Sequence, residues 1–167
     1  MSLYLPLFKA LNEANVQYVV VGGLATVLHG YARFTADIDL VINLDQAETE
    51  KVITVLTALG LKPRLPVDPM QFTDPEKRKS WSEDKNMLVF SMHQPDNPLL
   101  VVDLFVNEPV PYQQLAQRAV QLDLGGVKVP VCAINDLIEM KQKAGRPKDL
   151  EDIKYLNALL DNDNNDN

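Results

Sequence analysis

The alternation in Asp37-Ile38-Asp39-Leu40-Val41-Ile42 constrains this chain more than any other stretch. Successive side chains of a β-strand point to opposite faces, so Ile38, Leu40 and Ile42 would enter a core while Asp37 and Asp39 project together from the other face. Two like charges held side by side need a cation. Just upstream, Tyr18 to Val21 reads as a short buried strand ending at Gly22-Gly23, and Leu24 to Leu28 as a short helix stopped by Gly30. A glycine pair between strand and helix lets backbone N–H groups approach an anion without side-chain obstruction, and the helix N-terminus adds partial positive charge. A Gly-Gly turn is more often only a turn. Its place directly ahead of the aspartate pair raises the functional reading.

The rest of the chain fits a mixed α/β domain. Leu3 to Ala14 has helical apolar spacing. Asp45, with Glu48 three residues on, predicts a capped helix that ends at Gly60. The order β-α-β-α follows, and with it the α/β class. Residues 63–86, rich in Pro, Asp and Lys, read as the longest irregular stretch. Met87 to Met92 and Leu99 to Val106 read as strands joined by a loose loop. Pro111 to Ala119 reads as a helix, and Val120 to Leu124 with Val127 to Val131 as a hairpin about Gly125-Gly126. Asn135 to Ala144 and Pro147 to Leu160 read as helices, with Gly145 closing the first and Pro147 opening the second. We therefore expect a single domain over residues 1–160, with 135–160 its C-terminal helical part. Residues 161–167 are Asp and Asn only and are expected to be a disordered acidic tail.

Composition bounds the function. At 167 residues one well-buried core is possible. A net charge of −7 argues against a broad basic surface that coats nucleic acid. Local basic ground remains at Lys77-Arg78-Lys79 and between Lys141 and Lys148. One cysteine, Cys132, leaves no internal disulfide and no cysteine-built zinc site. No apolar run is long enough to span a membrane, and Pro6 and Lys9 interrupt the opening run, so no signal peptide and a cytoplasmic location are expected.

Asp103 is the lone charge in Leu99-Leu100-Val101-Val102-Asp103-Leu104-Phe105-Val106. An ionised carboxylate facing a core costs several kcal/mol unless it is paired or liganded. If this strand lies beside Asp37-Ile38-Asp39, three carboxylates converge, a set suited to Mg²⁺ with waters and substrate phosphates. The plainer alternative pairs Asp39 and Asp103 with Arg33 or a lysine. Arg33 is a fork donor suited to phosphate or to the carboxylates. Lys141, Lys143, Arg146 and Lys148 also fit a solvated helix face, with Lys148 and Asp152 as a surface i,i+4 pair. His29 reads as a local packing or capping residue, and Trp81 as an anchor for its loop or a platform for a base.

Gly22-Gly23, His29-Gly30, Arg33, Thr35 and Asp37-Ile38-Asp39-Leu40-Val41, with Asp103 on a later strand, resemble the signature of the polymerase-β-type nucleotidyltransferase superfamily. Within it the chain is similar to small AbiEii-like members, several of which are toxins of toxin–antitoxin pairs. Their C-terminal helices carry stretches like Lys141-Gln142-Lys143-Ala144-Gly145-Arg146-Pro147-Lys148-Asp149-Leu150-Glu151-Asp152. The resemblance implies a small mixed sheet flanked by helices, with Asp37, Asp39 and Asp103 as catalytic residues holding Mg²⁺ or Mn²⁺. It implies nucleotide contacts from Gly22, Gly23, Arg33, Thr35, Lys141 and Lys148. The implied reaction moves a nucleoside monophosphate from an NTP to a hydroxyl of RNA, tRNA, protein or a small molecule, and an antitoxin is an implied partner. Many members carry Ser after the first glycine; this chain has Gly23 followed by Leu24. The alternative functions are a non-catalytic nucleotide-binding or antitoxin-like module of the same fold, or a structural subunit that uses its C-terminal helices as an interface.

Overall fold

A computed structural model describes residues 3–165. Pro6 sits in the first turn of α1 (Leu5–Glu13), which buries Leu7, Phe8 and Leu11. β1 (Tyr18–Val21) is buried along its whole length and runs straight into α2 (Gly22–Leu28). β2 (Asp37–Ile42) follows, and there the period-two pattern holds as far as Leu40: Ile38, Leu40 and Ile42 are fully buried and Asp37 and Asp39 stay partly accessible, while Val41 on their face is buried too. In α3 (Gln46–Ala58) the Asp45 side chain caps by accepting from the Glu48 N–H at 2.8 Å. Glu48 does not close the expected capping box. Its carboxylate accepts from the Gln17 N–H at 2.8 Å and pairs with Lys51, tying α3 to the start of β1.

β3 (Lys62–Pro63) is a two-residue edge strand. Beyond it, the stretch expected to be irregular holds a 3₁₀ turn (Pro69–Thr73) and α4 (Pro75–Lys85). Helical periodicity is weak here because only two α4 side chains are buried. Trp81 stacks on Phe90 with ring centroids 5.1 Å apart, and Arg78 lies over Phe72 while donating to the Phe72 and Leu44 carbonyls. Local signals do the rest, since Asp74 caps the first turn, Pro75 opens it and left-handed Asn86 ends it. Trp81 is therefore an anchor, buried against the sheet.

β4 (Val89–Gln94) and β5 (Asn97–Phe105) form a hairpin with Gln94 opposite Asn97, so its turn is the tight pair Pro95-Asp96 rather than a loose loop. After α5 (Tyr112–Arg118), β6 (Val120–Leu124) and β7 (Val127–Val131) make the second hairpin. α6 (Ile134–Ala144) stops at Gly145, and α7 (Pro147–Asn165) packs against it. α7 continues through Asn165, where we expected disorder from 161 onward. Each added helical residue gains a backbone hydrogen bond once a nucleus exists, so an exposed polar extension needs no apolar partner. Residues 166–167 lie outside the described residues.

The seven strands form one mixed sheet in the order β3-β4-β5-β2-β1-β7-β6. β2 is the strand that positions the site, antiparallel to β1 on one side and parallel to β5 on the other. The core runs through Ile38, Leu40, Val102, Leu104, Phe90 and Phe72.

Candidate active site

The glycine turn comes first along the chain. Gly22 has φ +68°, and a Cβ there would overlap the Asp39 carboxylate. A Cβ on Gly23 would lie 2.6 Å from Thr35 Oγ1 and 3.0 Å from Arg33 Nη2. The turn is thus pressed between Asp39 on one side and Thr35 with Arg33 on the other, and only glycine leaves that space open.

Register then assembles the carboxylates. Opposite residues in a ladder share a face, and Asp39 pairs with Val21 on β1 and with Asp103 on β5. Asp103 pairs in turn with Ser91 on β4, whose hydroxyl donates to Asp103 Oδ1 at 2.5 Å. Burial, then the charges of Asp103 and Asp37, push the Asp39 carboxyl up to about 7. Burial raises Asp103 as well, opposed by the Ser91 hydrogen bond and the Arg64 charge. Asp39 and Asp103 lie close enough that each alters the other's titration, so the two carboxyls titrate together rather than independently. Asp37 lies one step along the same face and acts on both through its charge. It does not complete the three-carboxylate convergence expected from sequence: among the described residues no three His, Cys, Asp or Glu groups are gathered into a metal cluster.

The cations are arranged differently from a solvated helix face. Lys141 is buried, its Nζ 2.8 Å from Asp152 Oδ2 and 3.8 Å from Asp149 Oδ1. Arg33 Nη2 reaches the same Asp152 oxygen at 2.8 Å, so one buried carboxylate joins the α2–β2 loop to α6 and α7. Arg146 pairs with Asp149, and Lys143 with Glu139 on the surface. The charges of Lys141 and Arg146 are felt at Asp39. Lys148 is exposed, and the surface pair expected with Asp152 is absent because Arg33 and Lys141 occupy that carboxylate. His29 Nε2 lies 2.8 Å from the Cys132 carbonyl, a local packing role.

The structure therefore brings Gly22, Gly23, Arg33, Thr35, Asp39, Asp103 and Lys141 together, with Asp37 on the flank. Four further residues, Arg64, Ser91, Asp149 and Asp152, belong to the same neighbourhood. Asp149 and Asp152, three apart on α7 and facing a basic helix, could have been found by their spacing. Arg64 and Ser91 carry no local signal.

The Asp39–Asp103 pair suits a hard cation. All its donors are oxygens, and Mg²⁺ is commonly held by one or two protein carboxylates, with water and substrate phosphate completing its shell. Two buried acids whose charges repel one another gain from a cation that replaces a bound proton. The space a Gly22 Cβ would fill lies directly over Asp39.

No helix among the described residues is long and apolar enough to cross a membrane. A comparison with curated protein sequences finds no match. Solved structures share the fold. One is ANT(2″)-Ia in complex with adenylyl-2″-tobramycin, at 16% identity and a TM-score of 0.59, covering 95% of this chain and 88% of that one. A second is the lincosamide antibiotic adenylyltransferase LnuA with lincomycin bound, at 18% identity and 0.60, covering 90% and 92%. A third is an antigenic nucleotidyltransferase-like protein from Paracoccidioides brasiliensis, at 23% and 0.59, covering 95% and 75%. Residues 6–163 match the family described as nucleotidyltransferase of unknown function (DUF6036), and with nearly its whole length matched the chain belongs to that family.

Proposed function

We propose that the protein transfers a nucleoside monophosphate from an NTP to an acceptor hydroxyl, with release of pyrophosphate. The observation that carries this reading is the side-by-side register of Asp39 and Asp103 behind the Gly22-Gly23 turn. The N–H groups of the turn, with Arg33 and Lys141, bind and orient the triphosphate. Thr35 and Arg33, held against Gly23, fix the position of the turn. Asp39 and Asp103, with Asp37 beside them, would hold Mg²⁺ or Mn²⁺, and such an ion would supply charge neutralisation at the phosphates and a lowered pKa for the attacking hydroxyl. In the transfer, the acceptor oxygen bonds to the α-phosphorus and the bond from that phosphorus to the β-bridging oxygen breaks. Pyrophosphate leaves, and the hydroxyl proton is released through the Asp39 or Asp103 carboxylate to solvent.

A second reading, a nucleotide-holding or antitoxin-like module, is favoured by one feature: Arg33 and Lys141 are already neutralised by Asp152. Incubation with each α-labelled NTP, Mg²⁺ and separate RNA, protein and small-molecule fractions decides between the two. Label in an acceptor fraction supports the enzyme. NTP bound without any labelled acceptor supports the module. A toxin role follows only if the labelled acceptor is a cellular RNA or protein and the transfer arrests growth.

A further inference from the structure

The sheet carries one lateral row of side chains that extends past the carboxylates to its edge. Antiparallel pairing of β3 with β4 sets Lys62 opposite His93 and Pro63 opposite Met92. The Arg64 N–H donates to the Ser91 carbonyl at 3.0 Å, which continues that pairing by one residue. Pro63 and Met92 share the face that Met92 buries in the core, so Lys62 and Arg64 project from the opposite face, with Ser91, Asp103 and Asp39. The row reads Arg64, Ser91, Asp103, Asp39, Val21, and ends at the Gly22-Gly23 turn.

The two ends of this row differ in the cations they offer. At the glycine end Arg33, Lys141 and Arg146 are engaged by Asp152 and Asp149. At the edge-strand end Lys62 and Arg64 are exposed and have no ion-pair partner among the described residues, though the charge of Arg64 reaches Asp103. His93, on the same face of β4, has a sheltered Nδ1 with no hydrogen-bond partner among the described residues. Nucleotidyl transfer needs two substrates on opposite sides of the reacting phosphorus. The glycine turn takes the triphosphate, and the side that remains is the β3 edge.

We infer that Lys62 and Arg64 form the acceptor subsite, and that the acceptor is a nucleic-acid strand whose phosphates they bind while its terminal hydroxyl lies at Asp103. This rests on the transfer reading above. Two unpaired cations about 6.6 Å apart along one strand can contact successive phosphates of one chain. A cationic polyol would instead be repelled by Arg64. The net charge of −7 confines such binding to this strip, so a short strand end is held rather than a long duplex.

The test is fluorescence anisotropy of a short, 5′-labelled single-stranded RNA with a free 3′ hydroxyl, titrated with wild type, Arg64→Ala and Lys62→Ala at several salt concentrations. Both side chains are exposed, and unchanged melting temperatures would establish that the variants fold. Each variant should weaken RNA binding about tenfold and lower the salt slope by about 1, with NTP affinity unchanged. Arg64→Lys should recover most of the loss. Unchanged RNA affinity, no RNA binding by wild type, or a loss confined to NTP binding would overturn the inference. So would equal use of an uncharged polyol or a mononucleotide as acceptor. Arg64-dependent RNA binding without label transfer would overturn the transfer reading and leave the strip. Transfer with an acceptor KM indifferent to Arg64 would do the reverse.

Discussion

Asp39 and Asp103 stand opposite each other on the parallel neighbours β2 and β5, although 64 positions of chain separate them. The sheet holds two acids close enough that one keeps its proton near neutral pH. That pairing ties the fold to the proposed chemistry, and most of what can be tested follows from it.

Stability should depend on pH through Asp39. Its folded value of about 7 lies above the ordinary carboxylate value, so the folded state binds more protons than the unfolded state between those two values. The sign is that this stabilisation is complete below the unfolded pKa and is lost as pH rises towards 7. In metal-free buffer the melting temperature should fall from pH 5 to pH 8, and Asp39→Asn should flatten that part of the profile. An equal fall in the variant would place the effect in other groups.

Divalent cations should stabilise the protein more at pH 8 than at pH 5.5, because the ion must displace the proton that Asp39 holds below about pH 7. Differential scanning fluorimetry with Mg²⁺ and Mn²⁺ reads this directly. Asp39→Asn should lose most of the shift; an unchanged shift would mean the ion binds elsewhere.

The glycine turn makes a steric prediction. Gly22→Ala meets both a positive φ and the Asp39 carboxylate. The left-handed backbone alone costs about 1–2 kcal/mol. Urea unfolding should show at least that loss. Gly23→Val should instead weaken NTP binding, since its side chain would enter the space beside Thr35 and Arg33.

The buried charges of α6 and α7 form a unit. Asp152→Ala leaves Lys141 buried with only the 3.8 Å contact to Asp149, and breaking such a pair costs about 3–5 kcal/mol. Replacing Lys141 with Met together with Asp152→Leu should restore much of the stability and leave no nucleotide binding. Additive losses in urea unfolding would show that the two side chains are not coupled.

Much of the site was legible because its signals are local. Asp37-Ile38-Asp39 alternates within one strand, Gly22-Gly23 sits at one strand end, and Asp103 is a lone charge among apolar neighbours. What sequence could not supply was register. Ser91 and Arg64 enter the site only because β4 pairs with β5 and β3 with β4. Arg33 and Lys141 meet at Asp152 only through tertiary packing, so a surface pair of Lys148 with Asp152 looked equally reasonable. α4 was missed because two buried side chains, Arg78 and Trp81, fasten it without a full apolar stripe. The polar end of α7 was missed because helix propagation, rather than burial, carries it to Asn165.

The central claim is nucleotidyl transfer driven by the Asp39–Asp103 pair. Its most direct test is the yield of pyrophosphate and of labelled acceptor from α-labelled NTP with Mg²⁺, for wild type and Asp39→Ala matched in folded fraction. Wild type should release one pyrophosphate for each labelled acceptor, and Asp39→Ala should release none above background. Equal release by the two proteins, or NTP bound by wild type with no pyrophosphate from any of the four nucleotides, would contradict it.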